Sequence, residues 1–333
     1  MAELSFDLEM VRAGTGYAMA GKIPLEGVTA IMGPSGSGKT TLLMMLAGLE
    51  PRARGTVRFA EKSWAEGRRG LPPEARRVGM VFQEGRLFGH LNVADNIAYG
   101  ARRRGTTPAA IQGITDALGL EDLLHRHPVT LSGGEARRVA VARALASAPD
   151  ILFMDEPVSG LDDMSKAQVL PYLARAVTGS GIPVLYVTHS ISEVTQLADR
   201  VLRVADGRIA GWGVPPARLS VTVTGMHSGH VILDLGGVPL VLPGQGRAGD
   251  ARTIALPAGG VLLSRDAPGS SGALAVLRAS VVSVAPRPGG PDILLETAGQ
   301  RLTQRLDPAS PLAAQLPAPG AQLYLSILAA HLR

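Results

Sequence analysis

The chain has 333 residues, of which 46% are hydrophobic and 18% are charged. This balance is typical of a folded globular protein, and the length exceeds that of one ordinary domain, so we expect two domains. The absence of cysteine excludes disulfides, thiolate metal ligands and cysteine nucleophiles. The formal net charge is +5, but the basic residues are scattered along the chain, so charge alone does not indicate a nucleic-acid partner.

The first part of the chain alternates between strand-like and helix-like patterns. Helical periodicity covers residues 135–147, and short, unbroken apolar runs typical of a buried parallel sheet cover 28–32, 151–154 and 183–187. Strands and crossover helices in alternation predict an α/β domain, which we place at residues 1–216.

The second part of the chain has a different pattern, in which short alternating runs are separated by Gly and Pro. This pattern predicts a small all-β barrel over residues 217–333. The segments 219–265 and 273–333 have comparable strand spacing, which indicates an internal repeat. His227 and His230 are three residues apart, which on one strand places them on opposite faces, so we expect no metal pair there.

The sequence shows no apolar run of the roughly 18 residues that a membrane-spanning helix needs. The N-terminal segment is acidic and lacks the basic-then-apolar pattern of a secretory signal. We therefore expect a cytoplasmic protein that does not cross a membrane by itself.

A glycine-rich segment follows the apolar run at 28–32 and matches the phosphate-loop pattern GxxxxGK(S/T) in full. Its glycines allow a tight turn whose N–H groups point at phosphate oxygens, and the helix that follows presents its positive end to the same anion. Lys39 is suited to neutralise phosphate charge and the Thr40 hydroxyl to ligate Mg²⁺. The segment consists of Gly33, Pro34, Ser35, Gly36, Ser37, Gly38, Lys39 and Thr40.

Two acidic residues, Asp155 and Glu156, follow the apolar run at 151–154. They are predicted at the carboxyl edge of the parallel sheet, where ligands bind in such folds. Asp155 is suited to hold Mg²⁺, directly or through water, and Glu156 is suited to polarise an attacking water.

A second predicted helix start lies at LSGGE, residues 131–135. Ser132 and Glu135 have the spacing of a capping box, and Gly133 and Gly134 allow close approach of a ligand. The chain thus has two helix N-termini suited to phosphate, which is understandable if one of them serves the nucleotide of a neighbouring copy.

These segments together resemble the ATP-binding cassette (ABC) family over essentially the whole first domain. They occur in the family's order: the phosphate loop Gly33–Thr41, Gln83 in VFQ, LSGGE at 131–135, Asp155-Glu156, SGLD at 159–162, and His189 in VTHS. The resemblance implies an α/β P-loop ATPase domain followed by a small β-barrel of the Mop/TOBE type.

The resemblance also implies roles for individual residues in a homodimer that closes around ATP and Mg²⁺. Catalytic roles fall to Lys39, Gln83, Glu156 and His189. The nucleotide would be bound by the phosphate loop, from Gly33 to Thr41, and by Ser132, Gly133 and Gly134 of the opposing subunit. Asp162 would organise the dimer interface. The implied Mg²⁺ ligands are Thr40, Gln83 and Asp155.

Two positions depart from the family's common pattern. Glu135 stands where many members have Gln, although either side chain completes the capping box. The aromatic residue that stacks on adenine is not evident, since Tyr17 lies unusually close to the phosphate loop and is equally suited to packing the sheet. Adenine preference therefore comes from the family resemblance and from no particular residue.

The cargo is indicated by resemblance to molybdate-importing members of the family. Two regions carry it, residues 71–93 and residues 170–177 with 182–194, and the second domain resembles the oxyanion-binding barrel of those members, most clearly over 273–333. This implies molybdate or tungstate binding by the second domain, although an inert appendage that holds the dimer together is the alternative. Ser270 and Ser271 lie near the start of this unit but are also typical of a linker.

The same resemblance implies integral-membrane permease subunits as direct partners and a periplasmic substrate-binding protein as an indirect one. The chain would then lie at the cytoplasmic face of the inner (plasma) membrane as a peripheral subunit. Residues 84–100 are a candidate docking surface for the permease, although Leu87, Phe88 and Leu91 are also typical of a core.

Three alternatives remain open at this point. The first is an importer of the same class with a different cargo, such as sulfate, iron, a sugar or a polyamine. A soluble ABC ATPase of DNA repair or chromosome organisation needs long coiled-coil insertions, whereas residues 41–130 contain no sustained heptads, so no nucleic-acid partner is expected. The last alternative is a regulatory binding protein whose ATP hydrolysis is incidental.

Overall fold

The computed structural model of the protein describes residues 2–213, 216–256, 260–268, 272–286 and 290–332. The chain divides into two compact units, one formed by residues 1–193 with 197–213 and the other by residues 214–333 with the short segment 194–196. Within the described ranges, no helix combines the length and the apolar character that crossing a bilayer requires.

Up to residue 213 the fold mixes helices with two sheets. The strands are β1 (Glu3–Arg12), β2 (Thr15–Pro24), β3 (Val28–Met32), β4 (Arg54–Phe59), β5 (Lys62–Gly67), β6 (Arg69–Gly70), β7 (Val78–Val81), β8 (Ile151–Asp155), β9 (Val184–Val187), β10 (Arg200–Ala205) and β11 (Arg208–Trp212). The α-helices are α1 (Lys39–Ala47), α2 (Val93–Arg104), α3 (Pro108–Leu118), α4 (Gly133–Ala146), α5 (Asp163–Ser180) and α6 (Ile191–Leu197).

The main sheet has the strand order β11-β10-β3-β9-β8-β7, and all neighbours are parallel except the β10–β11 pair. The strands predicted at 28–32, 151–154 and 183–187 are β3, β8 and β9, which confirms the predicted parallel sheet. A second, antiparallel sheet has the order β2-β1-β4-β5-β6.

Strand β8 explains why the central strands are apolar without interruption. Its side chains at Ile151 and Phe153 belong to the core that includes α1 and β1, while Leu152 and Met154 belong to the core that includes α4 and α5. Both faces of the strand are therefore buried, and an alternating pattern would place polar groups in one of the two cores. This burial holds the end of β8, and the acids that follow it, in a fixed place.

The second unit is built from antiparallel strands. They are β12 (Ala217–His227), β13 (His230–Leu235), β14 (Val238–Pro243), β15 (Ala251–Leu256), β16 (Val261–Ser264), β17 (Ala275–Ala285), β18 (Asp292–Thr297), β19 (Gln300–Arg305), β20 (Gln322–Ile327) and β21 (His331–Leu332), with one short helix, α7 (Pro311–Ala314), among the described residues. One apolar core contains side chains from both halves of the unit. The predicted all-β fold of this part of the chain is confirmed.

The predicted internal repeat is visible in the strand order. One sheet runs β14-β13-β12-β15-β21 and the other runs β19-β18-β17-β20-β16, so equivalent strands occupy equivalent places. The last strand of each sheet comes from the opposite half, because β16 pairs with β20 and β21 pairs with β15. Even the register irregularities correspond, between Val223 and Gly225 in β12 and between Val281 and Ser283 in β17.

The prediction that His227 and His230 occupy one strand is wrong. Ser228 and Gly229, both with positive φ, form a two-residue hairpin turn that places the two histidines opposite each other in β12 and β13. Within the described part of the chain, no group of three or more His, Asp or Glu side chains is placed to hold a metal ion.

Candidate nucleotide site

Four neighbouring parallel strands end at one edge of the main sheet, and a predicted site segment follows each of them. The phosphate loop follows β3, His189 follows β9, Asp155 and Glu156 end or follow β8, and Gln83 follows β7. Residues separated by more than one hundred positions in the sequence therefore meet, and they meet where ligands bind in open α/β sheets.

The phosphate loop leads into α1 through Gly38, whose φ of 103° is a conformation that residues with side chains rarely adopt. A Cβ at Gly38 would lie 2.7 Å from Met19 Cε and 2.8 Å from Tyr17 Cε1, so the loop backbone packs closely on β2. Among the residues that the structure describes, no side chain caps the N-terminus of α1. The first N–H groups of this helix therefore remain available to an anion.

Polar groups converge within this loop. Lys39 is buried, and its Nζ donates to the carbonyl oxygens of Gly33 and Pro34 at 2.9 and 2.8 Å. The Ser37 hydroxyl is also buried and has no hydrogen-bond partner within the described residues. A buried cation and an unpaired hydroxyl beside an uncapped helix fit a phosphate group.

Asp155 and Thr40 connect the end of β8 to α1. The Thr40 hydroxyl donates to Asp155 Oδ1 at 2.8 Å, and Asp155 is 5% exposed. Burial raises the pKa of Asp155, as does the charge of Glu156, while the Thr40 hydrogen bond and the Lys39 charge act in the opposite direction. The hydroxyl and carboxylate oxygens here are hard ligands of the kind that Mg²⁺ prefers.

Glu156 and His189 form a second pair at the same edge. His189 Nδ1 lies 3.4 Å from Glu156 Oε1, and the Glu156 side chain is 24% exposed. Glu156 has a φ of 44°, a strained conformation for a residue other than glycine. Its backbone N–H donates to the Val187 carbonyl of β9, which holds the strained residue in place.

Sequence reasoning missed Glu193, which is buried in α6 just beyond His189. Its Oε2 accepts hydrogen bonds from the Tyr186 hydroxyl at 3.0 Å and the Thr188 hydroxyl at 2.7 Å, so the carboxylate joins the segment before the histidine to the helix after it. Burial and the neighbouring Glu193 carboxylate raise the pKa of Tyr186 well above its usual value. The only signal in the sequence was an acid four residues after the histidine.

The LSGGE segment forms the predicted capping box at the start of α4. The Ser132 hydroxyl accepts from the Glu135 N–H at 3.2 Å, and Glu135 Oε2 accepts from the Ser132 N–H at 2.7 Å. A Cβ at Gly133 would lie 3.1 Å from Leu161 Cδ2, so this turn packs against the segment just before α5. Between residues 131–135 and the phosphate loop, both fully described, the structure shows no hydrogen bond.

The remaining predicted residues are placed as follows. Asp162 caps α5, where its carboxylate accepts from the Ser165 N–H and hydroxyl at 2.9 and 2.8 Å, which lowers its pKa. Gln83 is exposed, two residues beyond the end of β7. Tyr17 lies against the phosphate loop at Gly38, and its predicted stacking on adenine stays a prediction. Ser270 and Ser271 lie outside the described residues.

The loop after Gln83 is held by the buried Asn96 amide and by Arg143, whose guanidinium donates to the Arg86 and Gly85 carbonyls at 2.8 and 3.2 Å. Asn96 is fully buried, accepts from the Phe88 N–H at 2.9 Å, and donates to the carbonyls of Phe88, Leu91 and Asn92. Phe88 packs on the partly exposed Tyr99 with ring centroids 4.5 Å apart. Leu87, in contrast, packs against the core.

Comparisons with known proteins agree with this geometry. The family model described as ABC transporter matches residues 18–159. Over 91% of this chain and 88% of the relative, the sequence is 38% identical to the molybdenum import ATP-binding protein ModC of Albidiferax ferrireducens. The chain belongs to the ABC transporter family of ATP-binding proteins.

Other comparisons extend this assignment. The ModC of Rhodobacter capsulatus is 40% identical over 78% of this chain and 77% of its own length. A solved structure of CbiO1 from Clostridium perfringens, titled as part of the ABC transporter complex CbiONQ, superposes with a TM-score of 0.55 and 28% identity over 63% of this chain and 87% of that one. The predicted ABC ATPase fold and the prediction of an enzyme that binds and hydrolyses ATP are confirmed.

Proposed function

We propose that the chain is the ATPase subunit of a molybdate importer, acting as a homodimer on integral-membrane permease subunits. The convergence of the phosphate loop, Asp155, Glu156 and His189 on one sheet edge supports the ATPase site. The length over which ModC relatives match, 91% of the chain in one case, supports molybdate as the cargo over sulfate, iron, sugars or polyamines.

In the proposed site, the phosphates of ATP lie on the loop from Gly33 to Thr41 and on the uncapped start of α1. Lys39 exchanges its bonds to the Gly33 and Pro34 carbonyls for bonds to phosphate oxygens and neutralises their charge. The buried Ser37 hydroxyl gains the hydrogen-bond partner that it lacks within the loop.

Glu156 acts as the base that polarises the attacking water, and His189 orients Glu156 and contacts the γ-phosphate. The 3.4 Å separation between their side chains and the strained Glu156 backbone support this pairing. Thr40, Asp155 and Gln83 would hold Mg²⁺, and the bond between Thr40 and Asp155 supports two of these three ligands. The ion supplies charge neutralisation of the β- and γ-phosphates when it is bound.

The second subunit enters through the start of α4. The capping box occupies the N–H groups of Ser132 and Glu135 and leaves those of Gly133 and Gly134, the two between them, without a capping side chain. These glycine donors and the Ser132 hydroxyl bind the γ-phosphate held by the opposing phosphate loop, and Asp162 lies at the interface of the two subunits. Membership of the ABC transporter family, whose motif order the chain follows, supports this role in trans.

The dimer is tested with Glu156→Gln, which retains bound ATP. Sedimentation of this variant with ATP and Mg²⁺ is expected to show twice the mass of the monomer. With ADP in place of ATP, the variant is expected to sediment as a monomer. The double variant Glu156→Gln with Gly134→Asp places a carboxylate against the γ-phosphate and is expected to remain monomeric. A monomer under all conditions would contradict the proposed homodimer.

The permease docks, in this proposal, on the loop after Gln83, where Phe88 and Tyr99 form a partly exposed aromatic pair held by Asn96. The chain then lies at the cytoplasmic face of the plasma membrane. Co-reconstitution with its permease in vesicles is the test of cargo. Molybdate-loaded binding protein is expected to stimulate ATP hydrolysis and sulfate-loaded binding protein is not, while stimulation by sulfate alone would assign a different cargo.

The second unit, in the same proposal, binds molybdate or tungstate and adjusts transport to the internal concentration of the anion. Its two equivalent halves and shared core support a regulatory module of the oxyanion-binding type. Calorimetric titration of the full chain with molybdate, tungstate and sulfate tests this. Binding of the first two only is expected; heat from none of them would make the unit a structural appendage and leave the ATPase assignment intact.

A further inference from the structure

The Glu135 carboxylate has two different partners, one for each of its oxygens. Oε2 accepts from the Ser132 N–H at 2.7 Å within the capping box, while Oε1 accepts from Arg126 Nη1 at 3.2 Å. The Glu135 side chain is 22% exposed and that of Arg126 is 40% exposed. The second contact reaches outside the helix and joins the first turn of α4 to a residue nine positions earlier.

Arg126 also holds the chain that leads into this turn. Its Nε donates to the Thr130 hydroxyl at 3.3 Å, and its Nη2 donates to the Thr130 carbonyl. The Thr130 hydroxyl in turn donates to the His127 carbonyl at 2.8 Å. One planar guanidinium therefore bonds to both sides of the signature segment, which we define as residues 131–135.

We infer that Arg126 is a positioning residue for the signature segment and that it acts through the carboxylate of Glu135. The consequence for ATP rests on the proposed role of Gly133 and Gly134 in trans. Donors that must meet a γ-phosphate on another subunit need a fixed direction before the ligand arrives, because disorder in the first turn lowers the fraction of chains that are ready to bind.

This role makes glutamate and glutamine different at position 135. A carboxylate offers two acceptor oxygens, whereas a carboxamide offers one oxygen and an NH₂ group that only donates. Glutamine can therefore complete the capping box with Ser132, as the sequence pattern indicates, but it then turns its NH₂ towards the Arg126 guanidinium. Arg126 loses its partner although the cap is preserved.

The test compares Arg126→Gln, Glu135→Gln and the double variant in the full chain. Amide hydrogen exchange at residues 132 and 135 reports how well ordered the segment is. The KM for ATP reports how well the segment contributes to nucleotide binding. Each single variant is expected to raise the exchange rate and the KM about threefold to fivefold, the scale of a partly exposed ion pair, with a smaller change in kcat. The double variant is expected to match Arg126→Gln, because that change already removes the contact that Glu135→Gln removes.

Two further variants separate positioning from general effects of charge. Arg126→Lys keeps the charge but cannot reach Glu135 and both Thr130 oxygens at once, so it is expected to restore only part of the loss. Arg301→Gln removes an ion pair of the same length, 3.2 Å, in the second unit and is expected to change neither exchange at 131–135 nor KM.

Unchanged exchange in both single variants, or additive effects in the double variant, would overturn the inference. An equal effect of Arg301→Gln would do the same. Faster exchange with an unchanged KM would support Arg126 as the residue that positions the segment and would instead contradict the proposed role of Gly133 and Gly134 at the nucleotide.

Discussion

The two glycine-rich helix starts of the first unit are built in opposite ways. At α1 the N-cap is Gly38, no side chain bonds to the helix N-terminus, and the nearby Ser37 hydroxyl is buried without a partner within the described residues. At α4 the N-cap Ser132 and Glu135 satisfy each other's backbone N–H groups. One helix start is open and the other is half closed by its own side chains.

The proposed function accounts for this difference by where each helix would find its ligand. Lys39 and Asp155 lie at the start of α1 in the same chain, so the groups proposed to bind the nucleotide on this side belong to one folded unit. The proposed ligand of α4 is on another chain and is absent for part of each cycle, so the helix must be stable without it. A capping box supplies that stability, typically about 1 kcal/mol, and still leaves two glycine N–H groups free.

The largest expected effect comes from Glu156→Gln. If ATP hydrolysis takes place at the start of α1, this change removes the base and lowers kcat by about 10²- to 10⁴-fold, while nucleotide binding is retained. Single-turnover hydrolysis and equilibrium binding of ATP measure the two parts. Glu61→Gln, at an exposed turn between β4 and β5, is the control and should leave both unchanged. A Glu156→Gln variant with substantial kcat would place the base elsewhere.

The next largest effect contrasts Gly38→Ala with Gly134→Ala. Alanine at 38 meets both a φ of 103° and Tyr17 and Met19 atoms within 3 Å, a strain of about 1–3 kcal/mol, so the affinity of a single chain for nucleotide should fall about tenfold or more. Alanine at 134 meets only Val169 Cγ2 at 2.9 Å, within a helix that favours alanine.

Gly134→Ala should therefore keep single-chain nucleotide affinity and lose mainly the dimer that ATP promotes. Fluorescent-nucleotide titration at low protein concentration, followed by sedimentation with ATP, separates the two properties. Equal loss of single-chain affinity in both variants would show that the two helix starts do not differ as described.

A smaller effect is expected from Ser132→Ala, with Thr107→Ala as its match. Both residues are N-caps whose side chains accept one N–H at 3.2 Å, in α4 and α3. Each change should lower the free energy of unfolding by about 1 kcal/mol in denaturant titrations. Only Ser132→Ala should also raise KM for ATP. A rise in KM with Thr107→Ala would mean that KM reports stability and not the signature segment.

The smallest effect concerns pH. The Ser132 backbone hydrogen bond lowers the pKa of Glu135, with contributions from the Ser132 hydroxyl and from the charges of Arg126 and Arg138, partly offset by burial. A lowered folded pKa stabilises the protein fully above the unfolded value of about 4.3, and this stability is lost as pH falls through the folded value. The stability difference between wild type and Glu135→Gln should therefore shrink on acidification; a difference independent of pH would contradict this.

Local patterns predicted most of the first unit. The phosphate loop and the capping box need only residues within about eight positions of one another, so their geometry follows from spacing and backbone chemistry. The strands β3, β8 and β9 were predictable because burial on both faces requires unbroken apolar runs. Parallel pairing then placed the residues that follow these strands at one edge.

Contacts between distant segments were not predictable in the same way. Glu193 is an ordinary acid in the sequence, and only the folded chain shows that it is buried and accepts hydrogen bonds from Tyr186 and Thr188. In the sequence, Arg126 does not differ from the many other scattered arginines. Its contact with Glu135 depends on the conformation of the loop at 127–130. The turn between His227 and His230 differs from these contacts, because the Ser228-Gly229 dipeptide is a local turn signal and the hairpin was predictable from the sequence.

The crossed strands of the second unit have a consequence for shorter forms of this protein. Strands β16 and β21 each complete the sheet of the opposite half. A fragment carrying only residues 217–265 would therefore keep β16 without its partner β20. The same fragment would lack β21, the strand that pairs with its own β15. Two such fragments could satisfy each other reciprocally. In the full chain the two halves are covalently joined, so each supplies the other's edge strand without a second molecule.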